Sequence, residues 1–272
     1  MILTNINTFA DSDMHNNFLE RAVTWNPGGV LNGARHVTLG GYYAYVMTDS
    51  GLVIVSLDDP LAPEWVATVP LTDARASALQ FRHLFVTDID WFKVIDVTNP
   101  DKPEMIPNAF VPLRDAQRIY AARTYAYVAA GDQGLAIIDI WSAARPKLLQ
   151  LYDAQGRISD TRDVVVASTN ASLYAYLADG VGGLKVLQLT SPDSQPNFYG
   201  FSPEPRPELI ATYPTRSAAI ALSKGLDRDR GVDETGAQIA VFGRKGSRPL
   251  NREEMRKLYL DAEGNPWYVQ DE

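Results

Sequence analysis

A short apolar segment recurs along the chain, followed each time by polar turn residues. It is clearest at residues 51–57 (GLVIVSL), 134–140 (GLAIIDI) and 183–189 (GLKVLQL), and weaker at 92–97 and 238–242. The runs are rich in β-branched residues and end near Asp, Asn, Ser or Pro, which is typical of strands bounded by turns. The pattern predicts an all-β chain built from repeats.

A proline a few residues after each segment gives the period of the repeat. Pro63, Pro103 and Pro146 follow one another at intervals of roughly 40 residues, and so do Pro207 and Pro249. Leucine-rich repeats are shorter, and helical repeats need apolar residues at helical spacing, so both are excluded. Four short strands fit in each unit, which is the size of a β-propeller blade.

We therefore expect a β-propeller of about five four-stranded blades within residues 34–249, in one domain that spans 1–272. Residues 250–259 favour a short C-terminal helix, since Asn251 and Glu254 have the spacing of a capping box, and a hairpin completes 260–272. That helix leaves the fifth blade without an outermost strand. Either residues 2–9, within the N-terminal segment 1–33, or residues 266–270 can supply it, and the N-terminal strand is slightly preferred.

The repeats resemble a known family, the LVIVD repeat. The resemblance rests on a Tyr-Ala-Tyr-Val run, a Gly-Leu-Val-Ile-Val segment, an Asp-Pro turn and a later proline, and it extends over roughly residues 34–249. It implies a propeller of the bacterial and archaeal kind, many of which are surface-associated. It implies no catalytic residue, because the family has no general catalytic motif.

Composition narrows the classes of partner. The net charge of −8 and the pI near 5.0 argue against nucleic acid or an anionic membrane as the main partner. No apolar run approaches the length of a membrane-spanning helix. The chain has no cysteine, which excludes disulfides, thiolate metal sites and a cysteine nucleophile. Residues 1–16 lack the basic start and apolar stretch of a secretory signal, so the compartment stays open.

Arginines recur at one position of the innermost strands. Four residues before the last apolar residue of four of these strands stand Arg35, Arg75, Arg162 and Arg216. The third unit has Gln117 there, with Arg114 and Arg118 close by. Because innermost strands line the central channel, these arginines are predicted to surround one mouth of it and to suit a carboxylate or phosphate. The alternative is a structural role, in which they pair with the nearby Asp73, Asp115, Asp160 and Asp163.

The most distinctive loop is the insertion at residues 191–206. It carries Phe198, Tyr199 and Phe201, and large apolar side chains on an exposed loop are typical of protein contacts. The first functional hypothesis is therefore a non-catalytic interaction or scaffold module with a protein partner. The second is an enzyme or an anion-binding protein that uses the arginines of the channel mouth.

One loop has a weak resemblance to a cation site. Asp227, Asp229 and Asp233 lie at alternate positions near a glycine, but the twelfth position of a calcium loop is Gln238 here instead of Glu. A solvated loop is the preferred interpretation. The three histidines have no metal-ligand spacing, and no catalytic motif is present. No cofactor and no catalytic residue are predicted.

Overall fold

The strands begin at the N-terminus, where β1 (Ile2–Asn5) and β2 (Glu20–Thr24) form a two-stranded sheet. The computed structural model describes residues 1–5, 20–169, 172–192, 202–223, 240–241, 244–245, 248–249 and 263. Two compact units divide the chain: Met1–Asn5 with Arg21–Leu222, and Ile6–Glu20 with Ser223–Glu272. Strand β1 pairs with β2, and its closing of the fifth blade stays a prediction, because most of the fifth repeat lies outside the described residues.

Four successive stretches of the first unit each fold into a four-stranded antiparallel sheet whose strand order follows the sequence. Blade 1 contains β3 (His36–Gly40), β4 (Tyr43–Thr48), β5 (Gly51–Ser56) and β6 (Glu64–Val69). Blade 2 contains β7 (Ala76–Gln80), β8 (His83–Thr87), β9 (Trp91–Asp96) and β10 (Glu104–Pro112). Blade 3 contains β11 (Ile119–Ala122), β12 (Tyr125–Ala129), β13 (Leu135–Asp139) and β14 (Lys147–Tyr152). Blade 4 contains β15 (Asp163–Thr169), β16 (Ser172–Ala178), β17 (Leu184–Thr190) and β18 (Glu208–Tyr213).

The middle strands of blades 1 to 3 are buried on both faces, which explains their nearly continuous apolar sequences, whereas those of blade 4 are buried mainly on the face toward blade 3. In β5, Leu52 and Ile54 belong to the core shared with blade 2, while Val53 and Val55 belong to a cluster on the other face of blade 1. Side chains alternate between the two faces of a strand. When both faces of the sheet are covered, nearly every position of the strand is therefore apolar. Equivalent cores join blade 2 to blade 3 and blade 3 to blade 4.

The innermost strands β3, β7, β11 and β15 lie side by side in sequence order. Strands of successive sheets that meet along one line, with the other strands radiating outward, form the arrangement of propeller blades. The all-β propeller prediction is therefore confirmed for these four blades. No helix in the described part of the chain is both long enough and apolar enough to span a membrane.

The glycine of the repeat has a steric cause. Gly51, Gly134 and Gly183 all have positive φ, and a Cβ atom at each would lie 2.3 Å from the last carbonyl oxygen of the fourth strand of its own blade. No side chain fits in that space, and the left-handed backbone conformation also favours glycine. Blade 2 has Trp91 where the others have this glycine.

The second unit is described at few positions. There β19 (Ala240–Val241), β20 (Arg244–Lys245) and β21 (Arg248–Pro249) form a three-stranded antiparallel sheet in the fifth repeat. The C-terminal helix predicted at 250–259 lies outside the described residues, as does the alternative closing strand at 266–270.

Candidate functional site at the channel mouth

The residue that enters each innermost strand is held by the same backbone hydrogen bond in every blade. Its N–H donates to the last residue of the second strand or its equivalent, over 2.7–2.9 Å, and the four donors are Arg35, Arg75, Gln117 and Arg162. The alignment made from the sequence is therefore also the structural alignment of these positions.

These residues meet in one cavity of about 350 Å³, which we call the channel mouth and which is lined by Arg35, Asp73, Arg75, Gln117, Arg118 and Arg162. Three of the four arginines that the sequence predicted to lie together do so. Arg216 is exposed and is not among the lining residues, and the chain around it is a bend without a strand.

Two aspartates, each two residues before a strand-entry residue, bind side chains of two blades at once. The carboxylate of Asp73 accepts a hydrogen bond from Arg75 Nε at 3.0 Å. It also lies 3.3 Å from Arg35 Nη1 of the preceding blade. The carboxylate of Asp115 receives Gln117 Nε2 at 2.7 Å and Arg75 Nη1 at 2.5 Å. Each aspartate therefore joins its own blade to the one before it.

A main-chain contact repeats beside each of these ion pairs. Arg35 Nη1 donates to the carbonyl oxygen of Ala74 at 3.3 Å, and Arg75 Nη1 donates to that of Ala116 at 3.4 Å. Burial acts to lower the pKa of Arg75, but the hydrogen bonds and charges of Asp115 and Asp73 outweigh it and raise the pKa above its ordinary value. Arg75 therefore stays positively charged at the contact between blades 2 and 3.

The first and fourth blades use other arrangements. Arg35 donates to Asp49 Oδ1 at 2.8 Å, and Gly33 stands at the position that aspartate occupies in the other blades. A Cβ atom at Gly33 would collide with the carboxylate of Asp49, so the glycine makes room for this substitute partner. In blade 4, Arg162 Nε lies 2.6 Å from Asp160 Oδ1. The sequence analysis gave ion pairs with aspartates as the alternative to an anion site. The structure has such pairs at Arg35, Arg75 and Arg162.

Arg118 differs from the other arginines of the channel mouth. It is half-buried, and within the described residues no carboxylate lies at ion-pair distance from it. Its Nη2 donates to the carbonyl oxygen of Arg35 at 3.3 Å, which links blade 3 to blade 1. A guanidinium has five N–H donors, and this is the one bond that they make to the described chain. Most N–H donors of Arg118 are therefore not bonded to the described chain.

Two titratable groups lie near Arg118. Burial and the charge of Arg118 lower the pKa of His36 to about 4, so the ring is neutral at pH 7, with Nδ1 accepting the Ser77 N–H at 3.2 Å. Burial raises the pKa of Asp163, although its bonds from the N–H groups of Leu222 and Val164 act in the opposite direction. Asp163, which the sequence offered as an arginine partner, makes these backbone contacts instead.

A further feature, missed from the sequence, is a buried ion pair repeated in two blades. Lys93 Nζ binds the Asp88 carboxylate in blade 2, and Lys185 Nζ lies 3.7 Å from Asp179 Oδ2 in blade 4. Both aspartates are almost completely buried. The available signal was a lysine inside the apolar segment, preceded by an aspartate five or six residues earlier. Asp179 Oδ1 also accepts the N–H groups of Ser159 and Asp160, so the pair positions the partner of Arg162.

The remaining candidate residues are not brought to this site. Phe198, Tyr199 and Phe201 of the insertion and Asp227, Asp229 and Asp233 of the acidic loop all lie outside the described residues. Among the residues that are described, no three His, Asp or Glu side chains are grouped so that they could hold a metal ion.

Comparisons with solved structures place the chain among known folds. It is similar to a protein of unknown function from Desulfotomaculum acetoxidans DSM 771, with 10% identity and a TM-score of 0.52 over 69% of this chain and 59% of the other. The computationally designed Ika8 protein gives 9% identity and a TM-score of 0.46 over 68% of this chain and 50% of the other. The extracellular domain of BT4673 from B. thetaiotaomicron gives 15% identity and a TM-score of 0.49 over 72% of this chain and 24% of the other. The chain thus spans less than two thirds of each of these proteins, and at such identities the likeness concerns the fold alone.

Comparison with curated proteins finds no match. The family model described as "LVIVD repeat" matches residues 33–69 and 113–154, which contain all strands of blade 1 and of blade 3. Both segments include the glycine, the apolar strand and the strand-entry residue described above. The resemblance predicted from the sequence is confirmed for these two segments of the propeller, each of which matches the LVIVD repeat.

Proposed function

We propose that the protein is a non-catalytic binding module that holds a carboxylate group of its ligand at the channel mouth. The observation that supports this proposal is the Arg118 guanidinium, half-buried in a cavity and without a carboxylate partner in the described chain. A partly buried cation gains from a counter-charge, and the flat guanidinium offers two parallel donors to a carboxylate.

The unbonded N–H donors at the channel mouth favour one carboxylate over a more highly charged anion. Arg35, Arg75 and Arg162 already have aspartate partners, so their charges are compensated. Arg118 is the arginine lining the channel mouth that has no described carboxylate at ion-pair distance, and its planar guanidinium suits a single carboxylate. The cavity volume of about 350 Å³ is at the lower end of the range for small-molecule sites.

We expect butyrate to bind the protein and its neutral analogue butyramide not to bind, as measured by ligand-observed NMR at low salt. Arg118→Gln should weaken butyrate binding by at least about tenfold, because hydrogen bonds to charged groups contribute strongly. Raising the ionic strength should also weaken it.

Arg114→Gln is the matched control. Arg114 pairs with Asp132 on the exposed surface and is not part of the channel mouth, so its loss removes the same charge from the chain without touching the site. Equal binding of butyramide, or equal affinity of the Arg118→Gln and Arg114→Gln variants, would contradict the proposal.

A second candidate function, interaction with a protein partner, has its own supporting observation at the opposite end of the sheets. Exposed apolar residues occupy the turns there: Tyr42, Leu61, Phe81 and Trp141. Phe81 is 93% exposed and has φ of +54°, a conformation that costs a bulky residue energy. Neither burial nor backbone preference accounts for phenylalanine at this turn, and backbone strain is concentrated at functional sites.

Phe81→Gly should abolish recovery of a specific partner from a native extract while leaving the free energy of unfolding within about 1 kcal/mol of the wild type. Arg123→Gly is the control, because Arg123 occupies the equivalent turn of blade 3 with φ of +56°. Affinity purification with mass spectrometry compares the three proteins. Recovery of the same partners by all three would remove Phe81 from the interface.

A further inference from the structure

A second cavity of about 640 Å³ lies against the innermost strand of blade 1, and we call it the blade-1 cavity. Its apolar lining includes Leu31, Val37, Leu39 and Leu57 together with residues of β1. Val37 and Leu39 stand two positions apart on one face of β3 and are 53% and 69% exposed. A volume of this size with apolar walls is typical of small-molecule sites.

The polar groups of this cavity are few. The polar side chains are those of Arg35, His36 and Arg118, beside the N-terminal amine of Met1, which donates to the Trp25 carbonyl, and both arginines also line the channel mouth. The two cavities are therefore adjacent, and the guanidinium of Arg118 belongs to both. His36 is neutral at pH 7, so it adds no charge.

We infer that the two cavities together bind an amphipathic monocarboxylate, with its carboxylate at Arg118 and its apolar tail in the blade-1 cavity against Val37 and Leu39. This inference rests on the proposed function and adds the class of ligand to it. The carboxylate binds the guanidinium of the channel mouth that has no described carboxylate at ion-pair distance and four N–H donors not bonded to the described chain. The tail removes from water the exposed apolar side chains of β3, which supplies the hydrophobic contribution to binding.

Two other ligand classes fit less well. A dicarboxylate or a phosphate ester brings a second charge, and the remaining arginines are already paired with aspartates. An alcohol or an amine of the same tail length lacks the negative charge that Arg118 selects. The arrangement therefore specifies both the sign of the head group and the apolar nature of the tail.

The test is a calorimetric series of butyrate, hexanoate, octanoate and decanoate, below their micellar concentrations, with decanol and decylamine as head-group controls. Each added methylene should tighten binding about two- to fourfold. Leu39→Gln should flatten this dependence on chain length, because Leu39 lines the cavity that holds the apolar tail. Arg118→Gln should weaken every carboxylate in the series.

Leu61→Gln is the matched control, because Leu61 is 66% exposed on a turn and does not line either cavity. A series in which affinity does not rise with chain length overturns this inference and leaves the carboxylate site standing. Decanol or decylamine binding as tightly as decanoate also overturns it. If no carboxylate binds, the inference and the proposed function fail together.

Discussion

Replacing Gly134 with alanine is expected to destabilise the protein far more than replacing Gly156, although the two glycines have nearly the same backbone conformation. Their φ angles are +77° and +80°. A Cβ at Gly134 would lie 2.3 Å from the carbonyl oxygen of Tyr152, whereas a Cβ at Gly156 has nothing within 4 Å. The comparison separates the steric contact from the cost of positive φ.

Gly156→Ala should lower the free energy of unfolding by about 1 kcal/mol, which is the cost of a left-handed conformation for an L-residue. Gly134→Ala should lower it by about 3 kcal/mol or more, because the oxygen of Tyr152 belongs to the ladder between β13 and β14 and moves only if that pairing opens. Urea unfolding followed by tryptophan fluorescence measures both. Equal losses in the two variants would show that the contact is relieved at little cost.

The buried ion pair of blade 4 carries the second large effect. Lys185→Met should lower the free energy of unfolding by about 3–5 kcal/mol, because the Asp179 carboxylate is then buried without a counter-charge. Adding Asp179→Asn to this variant should restore most of the loss. The amide keeps an oxygen for the N–H groups of Ser159 and Asp160 and no longer carries a charge.

The sequence offers a precedent for that double variant. At the equivalent positions, blade 3 has Ala130 and Ala136 in place of the aspartate and lysine, and it forms the same sheet. Chemical unfolding of the wild type and the two variants gives the comparison. A double variant that is as unstable as Lys185→Met would show that the loss comes from packing and not from an unpaired charge.

The architecture could be predicted because the repeat imposes it locally in each unit. Apolar strands bounded by turns recur at the period of a blade, and each copy repeats the same evidence. The fifth repeat is where this inference stops: Arg216 shares the sequence position of Arg35, but no innermost strand forms around it. Spacing specifies a position along the chain, whereas a side chain reaches the channel only when its strand is formed.

The candidate site could be predicted in part, for a related reason. Alignment placed Arg35, Arg75 and Arg162 together, because equivalent residues of repeats occupy equivalent places. It did not single out Arg118, which lies one position beyond the aligned residue and is distinguished only by its missing partner. Whether a charge is compensated depends on contacts between blades, and the spacing of residues within a blade contains no information on them. The sequence does not predict the blade-1 cavity, because residues 1–3 and Arg118 close it against blade 1 from distant parts of the chain.

The aspartates shared between blades have an evolutionary consequence. Asp73 serves Arg35 of the preceding blade as well as Arg75 of its own, and Asp115 does the same for Arg75 and Gln117. Blade 2 thus carries an aspartate that pairs with the preceding blade and an arginine that pairs with the following blade. When such a unit is duplicated within a gene, the new joint already has matching charges on both sides. Propellers of this type can therefore gain or lose whole blades without a new ion pair having to arise by mutation.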